Sequence, residues 1–194
     1  IKLIFYGGEP LLNKPVVYDA FEYVRLLEAD SKFSKPVDIT LLTNGSLVDE
    51  ETVSQVKRHN VRASVSIDGP EHVHNKMRGF VKSGDGTFES SLRGYRLFQE
   101  AGLRPGISCT LGQANVEHFD ETLAYIVDEL KPAGLGFNIL LPKWDEPYAE
   151  DVGKATSKII EAFKLFRKVG IYEDRMMRRA KPFCSDNFHF KDCY

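Results

Sequence analysis

Apolar positions along this chain follow two alternating rhythms. Short runs rich in β-branched and aliphatic residues are separated by longer stretches where apolar residues recur every three or four positions. Residues 2–6 form the first short run, which stops at Gly7-Gly8. Residues 15–27 carry Val16, Val17, Ala20, Phe21, Val24 and Leu27 at helical spacing, with Asn13 placed to cap them. Residues 37–42 predict a second strand, broken by Thr43-Asn44-Gly45-Ser46. Residues 49–57 predict a short helix whose acidic first turn suits the helix dipole. Residues 61–67 predict a third strand, ending in Asp68-Gly69-Pro70. Residues 71–86 are rich in glycine and charge and predict a loop with one helical turn. A helix over 87–101 stops at Gly102, and a strand over 104–111 follows. A helix over 116–130 ends at Pro132, and a strand over 134–141 ends at Pro142. Residues 149–169 predict a helix with Ile159, Ile160, Phe163 and Phe166 on its apolar side, and residues 171–194 show no clear period.

Five predicted strands, each followed by a helix, make an α/β protein with parallel strands. Parallel strands are buried on both faces, which explains unbroken runs such as Leu3-Ile4-Phe5. Two architectures fit: an open doubly wound sheet, or part of a β/α barrel. A complete eight-stranded barrel needs about 250 residues. At 194 residues the chain predicts an incomplete, partial β/α barrel with outer helices at most.

Composition then removes whole classes. Hydrophobic residues make up 42% and charged residues 28%, which excludes disordered, collagen-like and coiled-coil chains. No apolar run is long enough for a transmembrane helix. A net charge of −2 gives no field to recruit nucleic acid or an anionic membrane. Three cysteines make no disulfide framework and fit a reducing compartment, so a cytoplasmic protein is expected. The chain opens on Ile1 rather than Met, with no signal-peptide pattern, and stops at Cys193-Tyr194. Both ends read as cuts within a longer protein.

In α/β proteins of either type, ligands bind at the C-terminal ends of the parallel strands. That rule selects Gly7-Gly8-Glu9-Pro10, Thr43-Asn44-Gly45, Ser66-Ile67-Asp68-Gly69, the turn after Leu111, and Asn138 to Pro142. The glycine pair lets backbone pass close to a ligand, and Glu9 can accept charge-assisted hydrogen bonds from an ammonium group. The same four residues also suit an ordinary strand-to-helix turn with a surface glutamate. Asn44-Gly45 and Asp68-Gly69-Pro70 are strong turn signals in their own right. Arg78 can clamp a carboxylate in a bidentate fork or simply be solvated.

These segments, in this order, resemble the radical S-adenosylmethionine (radical SAM) enzymes. More narrowly, they resemble the branch with a C-terminal SPASM domain that modifies peptides or proteins, such as the anaerobic sulfatase-maturing enzymes. The residues that carry the resemblance are Phe5 to Leu12, Thr43-Asn44-Gly45, Ser66 to Pro70 with His74 and Met77-Arg78-Gly79, and Phe137 to Leu140. The resemblance implies that Gly7, Gly8 and Glu9 hold the methionine ammonium group. It gives Ser66 and Arg78 the carboxylate and ribose, with Asn44 lining the same pocket, and packs the segment near Ile139 and Leu140 on adenine. It implies that a [4Fe-4S] cluster donates one electron, that S-adenosylmethionine is cleaved to a 5′-deoxyadenosyl radical, and that this radical abstracts a substrate hydrogen. A peptide or protein substrate and an electron donor such as ferredoxin or flavodoxin are implied with it. In domain terms, residues 1–170 become a partial barrel core. Residues 171–194 become a linker and the truncated start of a SPASM-like region.

One departure is large. The family's cluster is held by three cysteines in a C-x3-C-x2-C loop, and no such spacing occurs here. The resemblance therefore implies that the first strand and cluster loop are missing from this chain, and that the chain alone is inactive. Cys193 is the candidate ligand for an auxiliary cluster, with Cys184 beside it in the same tail, and a plain free cysteine is the alternative. Cys109, within a strand, reads as core. His72 and His74 form an H-x-H pair with no third ligand nearby in sequence, and read as solvated or loop-packing. Met176 to Lys181 form a soft basic patch that reads as a solvated helix end. Two other functions stay open: a radical SAM enzyme acting on a small molecule, and a non-catalytic β/α binding module.

Overall fold

The computed structural model describes residues 1–112, 115–140, 149–173 and 176–177. Its elements run β1 (Lys2–Phe5), a 3-10 turn (Pro10–Asn13), α1 (Lys14–Ala29), β2 (Asp38–Thr43), α2 (Glu50–Arg58), β3 (Arg62–Ser66), α3 (Glu71–Met77) and α4 (Phe88–Glu100). They continue with β4 (Gly106–Leu111), a 3-10 turn (Val116–His118), α5 (Phe119–Ala124), a π-helical segment (Tyr125–Leu130), β5 (Gly134–Ile139), α6 (Ala149–Val169) and β6 (Tyr172–Glu173).

The strands form one parallel sheet in the sequential order β1-β2-β3-β4-β5-β6. This order separates the two candidate architectures. A doubly wound sheet reverses its strand order partway and so places helices on both faces. A strictly sequential order with crossovers of one hand keeps every helix on the same face, as in a barrel wall. Burial agrees. Ile39, Leu41, Val65, Ile67, Ile107, Cys109, Leu111, Leu135 and Phe137 alternate along the strands and join Phe21, Val56, Tyr95, Phe98, Ile126 and Phe166 in one core. The partial β/α barrel expected from the sequence is the fold, with six strands among the described residues rather than five. The sixth, Tyr172–Glu173, pairs with β5. At two residues it is too short to leave a periodic signature in the sequence.

Other local differences have local causes. Glu9, rather than Asn13, caps the helical entry, accepting the Leu11 N–H at 3.1 Å, while Asn13 makes no side-chain cap. The segment 71–77 is a two-turn helix instead of a loop, pinned by the fully buried Val73 and His74. Residues 125–130 widen into a π-helix. There the Leu130 carbonyl accepts Tyr95 Oη at 3.1 Å and Gln99 Nε2 at 2.8 Å, so α4 supplies partners that the helix itself does not.

Candidate functional site

The ladder register fixes which side chains share the helix-free face of the sheet. One row across it runs Leu42, Ser64, Gly106, Gly134 and Tyr172. The next row holds Ser66, Ser108 and Gly136, and a third pairs Thr110 with Asn138. Barrel interiors are ordinarily filled by bulky branched side chains. Here the middle strands offer glycine, serine, threonine and asparagine, and a Cβ added at Gly136 would meet nothing within 4 Å among the described residues. This face is built with room and with hydrogen-bonding groups.

At the C-terminal ends of the strands, two carboxylates tie neighbouring ends together. Glu9 Oε1 accepts from Leu11 N at 3.1 Å and from Thr43 Oγ1 at 2.7 Å, and its Oε2 accepts from Asn44 N at 2.7 Å. It thereby joins the exits of β1 and β2. An ionised carboxylate has about four acceptor positions, so Glu9 retains capacity on Oε2 for a ligand donor. Asp68 does the same for β3 and β4. Its Oδ1 accepts the Thr110 N–H at 2.7 Å, and its side chain is 1% exposed.

Arg78 completes the second tie. It lies at the C-cap of α3, donates Nε to Asp68 Oδ2 at 2.5 Å, and directs Nη2 toward Asp68 Oδ1 and Thr110 Oγ1, each at 3.3 Å. Among the described residues Nη1 makes no hydrogen bond. His74 holds α3 in place from beneath, accepting the Asp68 N–H at Nδ1 (3.3 Å) and meeting Thr87 Oγ1 through Nε2 (3.0 Å). Burial pushes the His74 pKa down to about 4, against the upward pull of Asp68 and with the downward push of Arg78, so the ring is neutral. Asn115, fully buried, closes the β4 exit by accepting from Gly112 N and donating to the Thr110 carbonyl.

The residues singled out in the sequence fall as follows. Gly7 and Gly8 are open, with no atom of the described residues within 4 Å of where a Cβ would stand. Asn44 turns its Oδ1 to Ser46 N at 2.9 Å and Ser46 Oγ at 2.7 Å, and its Nδ2 carries no hydrogen bond among the described residues. The Ser66 hydroxyl is likewise without a partner among them. It stands beside Ser108, whose Oγ accepts from Asn138 Nδ2 at 2.9 Å. Leu140 is 56% exposed and follows β5 on the helix-free side, whereas Ile139 packs against the core on the other. Glu9, Asn44, Ser66 and Arg78 thus all lie at the same end of the parallel sheet. Cys184 and Cys193 lie outside the described residues. Cys109 is fully buried in the core, where burial raises its thiol pKa well above the usual value. The sequence places Asp68 in a strand-exit segment but does not show that its carboxylate ties Arg78 to Thr110, and it does not single out Thr110 or Asn115. Asp68 was masked by its own turn signal, and the others acquire their roles only across strands.

A sheet of sequential parallel strands, with a polar helix-free face and ligand-ready groups at the strand exits, defines a β/α-barrel ligand-binding protein. The Radical SAM superfamily model matches residues 1–126, and the chain belongs to that enzyme family. It is 27% identical over 207 residues to an AdoMet-dependent heme synthase of Oleidesulfovibrio alaskensis, covering 96% of this chain and 49% of that protein. It is 30% identical over 128 residues to a cysteine-type anaerobic sulfatase-maturating enzyme of Clostridium perfringens, covering 64% of this chain and 33% of the relative. Among solved structures, native anSMEcpe with bound AdoMet and Kp18Cys peptide matches with a TM-score of 0.74 at 22% identity, over 91% of this chain and 50% of that one. That likeness is one of fold. The chain spans 60%, 49% and 30% of the length of three curated relatives it matches.

Proposed function

We propose that this chain is the S-adenosylmethionine-binding part of a radical SAM enzyme of the SPASM-containing type, acting on a peptide or protein. The observation that carries the reading is the set of donors without partners among the described residues, Asn44 Nδ2, Ser66 Oγ and Arg78 Nη1, beside a helix-free face of small and polar residues. The residues fit a zwitterionic ligand with a ribose. Glu9 and the carbonyl edges of Gly7 and Gly8 accept from an ammonium group. Arg78, already oriented by Asp68, offers its remaining N–H groups to a carboxylate. Asn44 and Ser66 donate to hydroxyl or carboxylate oxygens, and Leu140 covers an aromatic base. S-adenosylmethionine bound next to an iron–sulfur cluster supplies one-electron chemistry that ends in hydrogen abstraction. The chain's own part is to bind, orient and shield that ligand from water.

The cluster does not fit the residues present. Three thiolates at close spacing are needed, and the three cysteines here are Cys109, Cys184 and Cys193, the first buried in the core. The activity therefore belongs to a polypeptide in which a cluster loop completes this site, with ferredoxin or flavodoxin as electron donor, in the cytoplasm. Residues 171–194 would lead into the SPASM-like region, with Cys193 a ligand of an auxiliary cluster. A peptide substrate is supported by the sulfatase-maturating relative and the peptide in the matched structure. A small-molecule substrate is the second reading, favoured by the heme synthase relative.

Anaerobic reconstitution of the full-length protein tests the proposal. With reductant and S-adenosylmethionine it should release 5′-deoxyadenosine, and Arg78→Ala should cut that release by about a hundredfold, the loss of one charge-assisted anchor and its orientation. The 194-residue chain alone should release none. A reconstituted, cluster-loaded protein that forms no 5′-deoxyadenosine refutes the assignment. Turnover enhanced by a peptide rather than a tetrapyrrole separates the two substrate readings.

A further inference from the structure

We propose that His72, His118 and Glu121 form a binding site for a late first-row divalent cation of the Zn2+ or Co2+ type. Sequence spacing suggested His72 and His74 as a pair, but the fold separates them. His74 turns into the core, while His72 on α3 meets His118 and Glu121 from the start of α5. One ligand atom from each of the three lies within 4.8 Å of the others.

The distances suit a metal. Glu121 Oε2 stands 3.3 Å from His72 Nε2 and 3.5 Å from His118 Nδ1. Two ligand atoms on a tetrahedral Zn2+, each about 2.0–2.1 Å from the ion, are about 3.3–3.4 Å apart. The two imidazoles meet edge to face with centroids 5.6 Å apart, so closing the third edge needs only a small ring rotation. Two imidazoles and a carboxylate select late transition ions over Mg2+ or Ca2+, which favour all-oxygen sites. Three protein ligands also leave a fourth position open.

The ligands are exposed or half-buried, but the backbone that carries them is not loose. His72 precedes Val73 at 0% exposure, His118 precedes Phe119 at 1%, and Glu121 precedes Thr122 at 1%. Each donor therefore sits one residue from a core anchor, which lowers the ordering cost of binding. Glu121 also lines a shallow depression with Pro70, Asp128 and Glu129, and these carboxylates favour a cation nearby. One group opposes it. Lys76 Nζ lies 3.1 Å from His118 Nε2, a cation beside the ligand ring that would have to turn away once a metal occupies Nδ1 and the ring proton stands on Nε2. A bound ion would clip α3 to α5, and α3 ends at Arg78. The site stands whether or not the proposed radical chemistry is right.

The test is Co2+ titration of the untagged 194-residue chain near neutral pH, read by visible absorption and by melting temperature. The expected result is saturable one-to-one binding with weak d–d bands, no thiolate charge-transfer band, and a melting temperature that rises with Co2+. His72→Ala and Glu121→Gln, both at exposed positions, should each weaken binding about tenfold or more while circular dichroism stays unchanged. Absence of saturable binding, a spectrum dominated by thiolate bands, or a loss below that in either variant overturns the proposal.

Discussion

Asp68 accepts from Arg78 on one side and from the Thr110 amide on the other, and almost none of it reaches solvent. Asp68→Asn keeps the shape, removes the charge, and presents an NH2 group to donors. Leaving one member of a buried pair uncompensated costs about 3 kcal/mol or somewhat more. Because Arg78 keeps some solvent access, the lower end is expected, read as a lower urea midpoint at unchanged slope. His74 supplies the pH dependence. Its folded pKa of about 4 lies below the unfolded value near 6.5, so the unfolded state binds the proton more readily between those limits. The stability that depends on a neutral ring is complete above about pH 6.5 and declines as pH falls toward 4, by about 2 kcal/mol at pH 5. Urea titrations at successive pH values should show this slope, and His74→Gln should flatten it. An equally steep slope in the variant would place the dependence elsewhere. None of this was legible in the sequence, where Asp68 read as a turn residue and His74 as half of a histidine pair.

Helix α4 crosses the exit of β2 so closely that a side chain at Gly94 has no space. A Cβ there would stand 2.2 Å from the Gly45 carbonyl oxygen. Gly45 itself has φ +84°, and its own Cβ would meet Val65 at 2.8 Å. Gly94→Ala should therefore push α4 off the Asn44 turn and lower stability by about 2 kcal/mol, within the range for overpacking. Gly153, in α6, has nothing within 4 Å of its Cβ position among the described residues. Gly153→Ala should raise stability by about 0.5–1 kcal/mol through helix propensity alone. Thermal melts of the two variants should move in opposite directions, and a shared direction would contradict the close approach at α4. The helices were legible from their periodicity, as were the exits at Gly7, Asn44 and Asp68 from their turn residues. The π-helical end at Tyr125–Leu130 and helix α3 were not, because each depends on partners from α4 or the core.

At the level of the whole molecule, β1 is an edge strand of the sheet among the described residues, and Ile4 and Tyr6 are 45% and 76% exposed. Among the described residues no further strand pairs with β1 beyond β2. An edge strand with exposed apolar side chains is a template for pairing with another chain. Sedimentation of the 194-residue chain should show concentration-dependent association that Ile4→Lys reduces without lowering the melting temperature. A wild-type chain that stays monomeric at high concentration would count against this. By itself the sequence determined the α/β alternation, the strand exits where chemistry gathers, and the family, because period, turn residues and short motifs are written in neighbouring positions. Only the tertiary structure decided that the strands follow one another in sequential order across one parallel sheet, that a two-residue sixth strand extends it, and that Glu9 and Asp68 tie adjacent strand ends. It alone brought His72 to His118 and Glu121. Those relations join residues tens of positions apart, and their energy resides in contacts that exist only once the core has closed.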